Sequence, residues 1–142
     1  MKPNVFKDDS LAGLYELPAT YHGDLPGLAS KTHRTLISAD VSACKNSQET
    51  LRELGQACQF PLWYGANLDA LHDCLTDPDW QVKTGVILKI TGLDALQHSH
   101  PNAFSTLLEV LRSATARRSA ANHPLWILLS SPAPNVAKLP DA

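Results

Sequence analysis

With 142 residues, 44% hydrophobic and 18% charged side chains and a formal charge of −2, the chain has the length and balance of one globular domain whose core needs no disulfide or metal staple. This composition excludes a disordered chain. The charge is uneven: Glu53 to Val82 contains no Lys or Arg but holds Glu53, Asp69, Asp73, Asp77 and Asp79, so this stretch carries −5 against +3 for the remainder. A nucleic acid would be repelled from such a face, whereas a cationic partner would be steered to it.

Residues 1–31 carry Pro3, Pro18, Pro26, Gly13, Gly23 and Gly27. Breakers at that spacing forbid a long helix and allow one short strand near Leu14 and Tyr15, so the segment reads as an N-terminal extension or arm. The domain proper is expected over 32–131. Arg34 to Ser38 reads as a strand, and Asn46 with Glu49 three residues later forms a capping box ahead of the Leu51, Leu54, Cys58 stripe. Pro61 is expected to end that helix. A second helix is expected from Asn67 to Leu75, burying Leu68, Leu71 and Leu75. Val86 to Ile90 and Leu125 to Leu129 are nearly all-apolar runs, as in strands covered on both faces. Between them Asn102 to Arg118 has the spacing of a longer helix, and residues 132–142 are expected to form a loose tail. Strands alternating with helices predict an α/β fold with a small three-stranded parallel sheet and right-handed crossovers.

Cys44, Cys58 and Cys74 are odd in number and show no CxxC spacing, the pattern of reduced, buried thiols in a cytosolic protein. The N-terminal residues have no continuous apolar run of the signal-peptide kind, and no stretch is long enough to cross a bilayer. A cytoplasmic protein without a membrane contact is expected, and none of its motifs implies a cofactor.

The stretch FPLWYGANLDALHDCLTD, Phe60 to Asp77, crowds aromatic residues beside negative charge. Asp69, Asp73 and Asp77 fall at i, i+4 and i+8, so a helix reaching that far would present all three on one side. Such like-charge pairs cost an isolated helix about 0.2–0.5 kcal/mol each. Asp69 gains from the helix dipole in the first turn, but Asp73 and Asp77 do not. Asn67 is placed to cap the helix, Gly65 permits close backbone approach, and Trp63 and Tyr64 lead in. Aromatic anchors beside a carboxylate row describe a protein interface better than a solvated face.

The run WYGANLDALHDCLTD resembles the signature of the barstar-like family of intracellular ribonuclease inhibitors, and the likeness continues in order over about residues 33–131. The resemblance implies a compact α/β fold in which the second helix and the loop before it make the inhibitory surface. It also implies that Asp73 enters a ribonuclease active site in place of the substrate phosphate, that Asp69 is a second contact, and that Trp63, Tyr64, Gly65 and Asn67 form the contact loop. His72 and Asp77 complete the expected partner-binding set. Two positions depart from the family pattern: His72 stands where the prototype has tryptophan, and Ser113 stands where a glutamate of the long helix meets the enzyme. The expected partner is a basic microbial-type ribonuclease or ribonuclease toxin domain, and the free protein is expected to be a monomer.

Two other readings start from the same residues. An acidic module for a different cationic protein would have the same surface. A metal-dependent enzyme would use His72 with Asp69 or Asp73, but one His and two Asp on a single helix rarely close a metal shell. No Gly-rich phosphate loop, GxSxG elbow or HExxH is present, and Cys74 beside Asp73 is poorly placed for thiolate chemistry. The expectation is an inhibitor rather than an enzyme.

Overall fold

The computed structural model describes residues 4–21, 23–80 and 85–140. The first three residues and His22 of the expected extension, Gln81 and Val82 of the acidic stretch, and the last two residues of the expected tail lie outside them.

Four strands, β1 (Leu14–Glu16), β2 (Thr35–Asp40), β3 (Val86–Thr91) and β4 (Leu125–Leu129), form one sheet in the order β1-β4-β3-β2. Every pairing is parallel. The expectation of three strands is corrected to four, because Leu14–Glu16 adds to the open edge of β4 with Leu14 opposite Ile127. A three-residue strand carries too little pattern to reveal its sheet partner.

Side chains of the strands alternate between two apolar layers, which explains their near-continuous hydrophobic runs. Val86, Leu88, Ile90, Leu125, Ile127 and Leu129 join the layer under the helices. Ile87, Trp126 and Leu128 face the other side, where they meet Val5, Phe6, Leu17, Tyr21, Leu25 and Ala29. That second face is closed by two short 3-10 turns and α1 (Leu25–Lys31), so described residues of the segment expected as an N-terminal extension or arm lie against the sheet. Their apolar side chains are scattered between prolines and glycines, which hid the layer from periodicity. Residues expected to be loose at the other terminus also return to it: Leu139 is buried, and its N–H donates to the Glu16 carbonyl at 2.9 Å.

The first face carries α2 (Ser47–Cys58), α3 (Leu68–Thr76), α4 (Leu93–Ser99) and α5 (Pro101–Ala120). Asn46 caps α2, its side chain accepting from the Glu49 N–H at 2.9 Å, while the Glu49 carboxylate accepts from the Lys45 N–H. The helix ends at Cys58, three residues before Pro61. Gln59 turns left-handed at φ 55°, and the Phe60 N–H donates back to the Gly55 carbonyl at 3.0 Å. The short α4, absent from the sequence reading, begins after Gly92 at φ 90° and buries Leu93 and Leu96.

Candidate functional site

The loop 59–67 and α3 form one stiff unit. Tyr64 donates its hydroxyl to the Leu51 carbonyl at 2.7 Å, and its ring lies so close over Gly55 that any Cβ there would run into it. Glycine at 55 is therefore required by packing, not by φ. Phe60 meets Tyr64 and Trp80 edge to face, with ring centroids 5.0 and 5.3 Å apart. The Trp80 indole donates to the Cys58 carbonyl at 2.9 Å. This aromatic cluster ties the loop before α3 to the loop after it, giving the concentrated rings a positioning role.

Asn67 caps α3 as its sequence position predicts, accepting from the Ala70 N–H at 2.8 Å. A Cβ on Gly65 would lie 3.1 Å from the Asn67 amide nitrogen, so Gly65 leaves room for the cap. Between them Ala66 adopts φ 52°, a left-handed conformation that costs a residue with a Cβ roughly 1–2 kcal/mol. At the far end of α3, Arg118 is buried. It donates to the Leu75 carbonyl at 3.1 Å and the His123 carbonyl at 2.8 Å, with its guanidinium 5.5 Å from the Trp80 ring. A cation there satisfies carbonyls that the helix end leaves open.

Ala70, Leu71, Cys74 and Leu75 are buried, and Leu68 is only half-buried, so the inward stripe is shifted from the expected one. Asp69 and Asp73 project from the opposite side and are exposed. The ion pair among the described residues joins Arg34 to Asp9, and neither Asp69 nor Asp73 has a charged partner there. Asp77 departs from the expected row. It is the C-cap of α3, with extended backbone and a carboxylate that accepts from the Asp79 N–H at 2.9 Å. Pro78 disfavours helical conformation in the residue before it and so ends the ladder at Asp73.

His72 leans toward α5, its Nε2 3.2 Å from the Ser113 hydroxyl. The two positions that depart from the family pattern are thus in contact, side by side on the flank of the acidic face. Among the described residues no cluster of three or more His, Cys, Asp or Glu is gathered to hold a metal ion. No helix among them is long and apolar enough to cross a membrane. Trp63 is 58% exposed at the rim, whereas Tyr64 is largely spent on the Leu51 contact. Sequence reasoning passed over Leu62, wholly exposed beside Trp63. Its one signal was an apolar residue between Pro61 and Trp63 that belongs to no helical stripe.

Residues 34–130 match the family described as Barstar (barnase inhibitor). The chain belongs to the barstar family. The match takes in β2, all the helices of the first face, β3 and β4, and therefore the whole of the capped acidic helix with its loop. Strand β1 and α1 precede it, so the layer on the second face of the sheet is built from residues outside the barstar match. No curated protein matches the chain.

Proposed function

We propose that this barstar-family chain is an intracellular, immunity-type inhibitor of a basic microbial-type ribonuclease, acting as a monomer and without a cofactor. Asp73 enters the cationic active site where the substrate phosphate would lie, and Asp69 makes a second contact one turn away. The observation that carries this reading is the pair of exposed carboxylates, without a charged partner among the described residues, on a helix held at both ends. A ribonuclease must hold phosphate with cationic groups, and a carboxylate on a rigid support meets those groups through charge-assisted hydrogen bonds. Free carboxylates on the surface also draw the partner in over distances comparable to the Debye length, so association slows as salt rises. Trp63 supplies an aromatic anchor beside them, and Asn67 with Tyr64 fixes the angle at which they are presented.

Residual RNA cleavage by barnase, and by other small basic secreted ribonucleases, measured against increasing amounts of the purified protein, tests the proposal. The wild type inhibits, and Asp73→Ala loses about 2–5 kcal/mol of binding, the range for truncating one partner of a buried charged contact, for which barnase with barstar is itself a reference case. Equal inhibition by wild type and Asp73→Ala would exclude the role given to that carboxylate.

A further inference from the structure

Leu62 and Trp63 are the large apolar side chains left exposed among the described residues, at 106% and 58%. One exposed leucine is ordinary, because more than half of any protein surface is apolar. Two in succession, on a loop pinned against movement, are different. The Phe60 N–H is bonded to Gly55, the Tyr64 N–H to the Pro61 carbonyl at 2.9 Å, and the Tyr64 hydroxyl to Leu51, so the tip carrying residues 62 and 63 is closed on both sides. The same loop runs directly into the Asn67 cap of the acidic helix. Beside it lies an open groove of about 470 Å³, lined by Gln48, Arg52, Gln56, Gln59, Leu62 and Tyr64 among others, with no carboxylate in its walls.

We infer that Leu62, next to the Trp63 anchor, extends the docking surface that carries Asp69 and Asp73 by an apolar foot, seated on a non-polar lip beside the ribonuclease's cationic cleft. This rests on the ribonuclease-inhibitor reading and specifies a second feature that the partner carries. The surface pattern sets the arrangement: α3 favours a cationic surface, whereas exposed Leu62 and Trp63, beside a groove whose one charged wall residue is Arg52, favour an apolar edge that adds no further positive charge. One protein spanning both presents positive charge to α3 and apolar surface to the loop. The two halves overlap in part. Asp69 and Asp73 speed the encounter and Asp73, once buried, also holds the complex, while burial of a pre-ordered leucine adds to its lifetime without affecting the encounter.

Stopped-flow association and dissociation with barnase, at low and high salt, separates the halves. Leu62→Ser raises the dissociation rate roughly tenfold to a hundredfold, the effect of exposing one leucine, and leaves the association rate and its salt dependence unchanged. Asp73→Ala, run alongside, raises the dissociation rate and also slows association and flattens its salt dependence. The melting temperature of Leu62→Ser equals that of the wild type, because its side chain lies wholly in solvent. If the wild type inhibits but Leu62→Ser dissociates at the wild-type rate, the foot is wrong and the inhibitor reading stands. A lowered melting temperature with unchanged dissociation would likewise place Leu62 in the fold rather than the interface. Failure of the wild type to bind barnase and every other small basic secreted ribonuclease tested would overturn both the inhibitor reading and the foot that depends on it.

Discussion

Arg34 and Asp73 stand at opposite extremes of charge satisfaction. Arg34 is folded into the second face of the sheet: its Nε donates to the Phe6 carbonyl at 2.9 Å, a terminal nitrogen reaches Asp9 at 2.5 Å, and its guanidinium lies 5.0 Å from the centre of the Trp126 ring. Asp73 is exposed and meets no cation of its own chain among the described residues. A charge surrounded by internal partners is holding structure. A charge left open on a stiff, expensive-to-build helix is available to another molecule, at the cost of repulsion from Asp69 one turn earlier.

The sharpest way to break this comparison is to remove both charges and measure binding and stability separately. Asp73→Ala, with its large expected loss of inhibition, should leave the fold unharmed or slightly more stable, by about 0.2–0.5 kcal/mol from relief of the i, i+4 repulsion. Arg34→Ala should do the reverse. Losing the Phe6 hydrogen bond and the cover over Trp126 costs roughly 1–3 kcal/mol of stability in a urea titration, with inhibition unchanged where the variant is folded. The Asp9 partner contributes little of this, because Asp9 is mostly exposed. An Arg34 variant that lost inhibition at full stability would show that the second face takes part in binding.

The sequence foretold the first face better than the second. Asn46, Asn67 and the 51, 54, 58 stripe are local signals, and local signals survive in a one-dimensional reading because caps and helical faces depend on residues a few positions apart. The placing of Asp69 and Asp73 on one exposed side of α3 was legible for the same reason. What escaped depends on distance. Leu14–Glu16 becomes a strand only through Ile127 to Leu129, and Arg118 becomes a buried support only through Leu75 and Trp80. Arg117 beside it is a basic residue in the same last turn of α5, and nothing local distinguishes Arg118 from it. Asp77 would have joined the row only had the helix reached it, and Pro78 ends the helix first.

A smaller effect arises beneath the acidic helix. Burial pushes the Cys58 thiol up to about 12, with nearby Cys74 adding to it, and pushes Cys74 up to about 11, with Asp77 and then Asp73 adding to that. The folded chain thus holds these protons at a pH where the unfolded chain, with thiols at their ordinary value of 9.0, has released them. The native state binds more protons there, so stability falls as pH rises above 9 and is unaffected by these groups below it. Tyr64, also raised chiefly by burial, adds to the loss at the alkaline end. Urea midpoints at neutral pH and in steps from 9 to 11 check this, and a flat profile above 9 would contradict the burial of these groups. Native Cys58 and Cys74 should also alkylate slowly at neutral pH, as protonated, inaccessible thiols do.

The smallest change sharpens the comparison without touching a charge. Gln59 closes α2 in the left-handed region, where the backbone N–H donates to the Gln56 and Gly55 carbonyls and glycine is the residue of choice. Gln59→Gly removes the steric penalty of the Cβ but adds freedom to the unfolded chain, leaving a gain of up to about 1 kcal/mol. Because Gln59 also lines the groove beside Leu62, its variant distinguishes loop stiffness from side-chain contact. Stiffness as the controlling property predicts a higher melting temperature with dissociation from the ribonuclease unchanged or slower. Faster dissociation at higher stability would instead assign the Gln59 amide a direct contact, and would move the boundary between structure and interface one residue back into the helix cap.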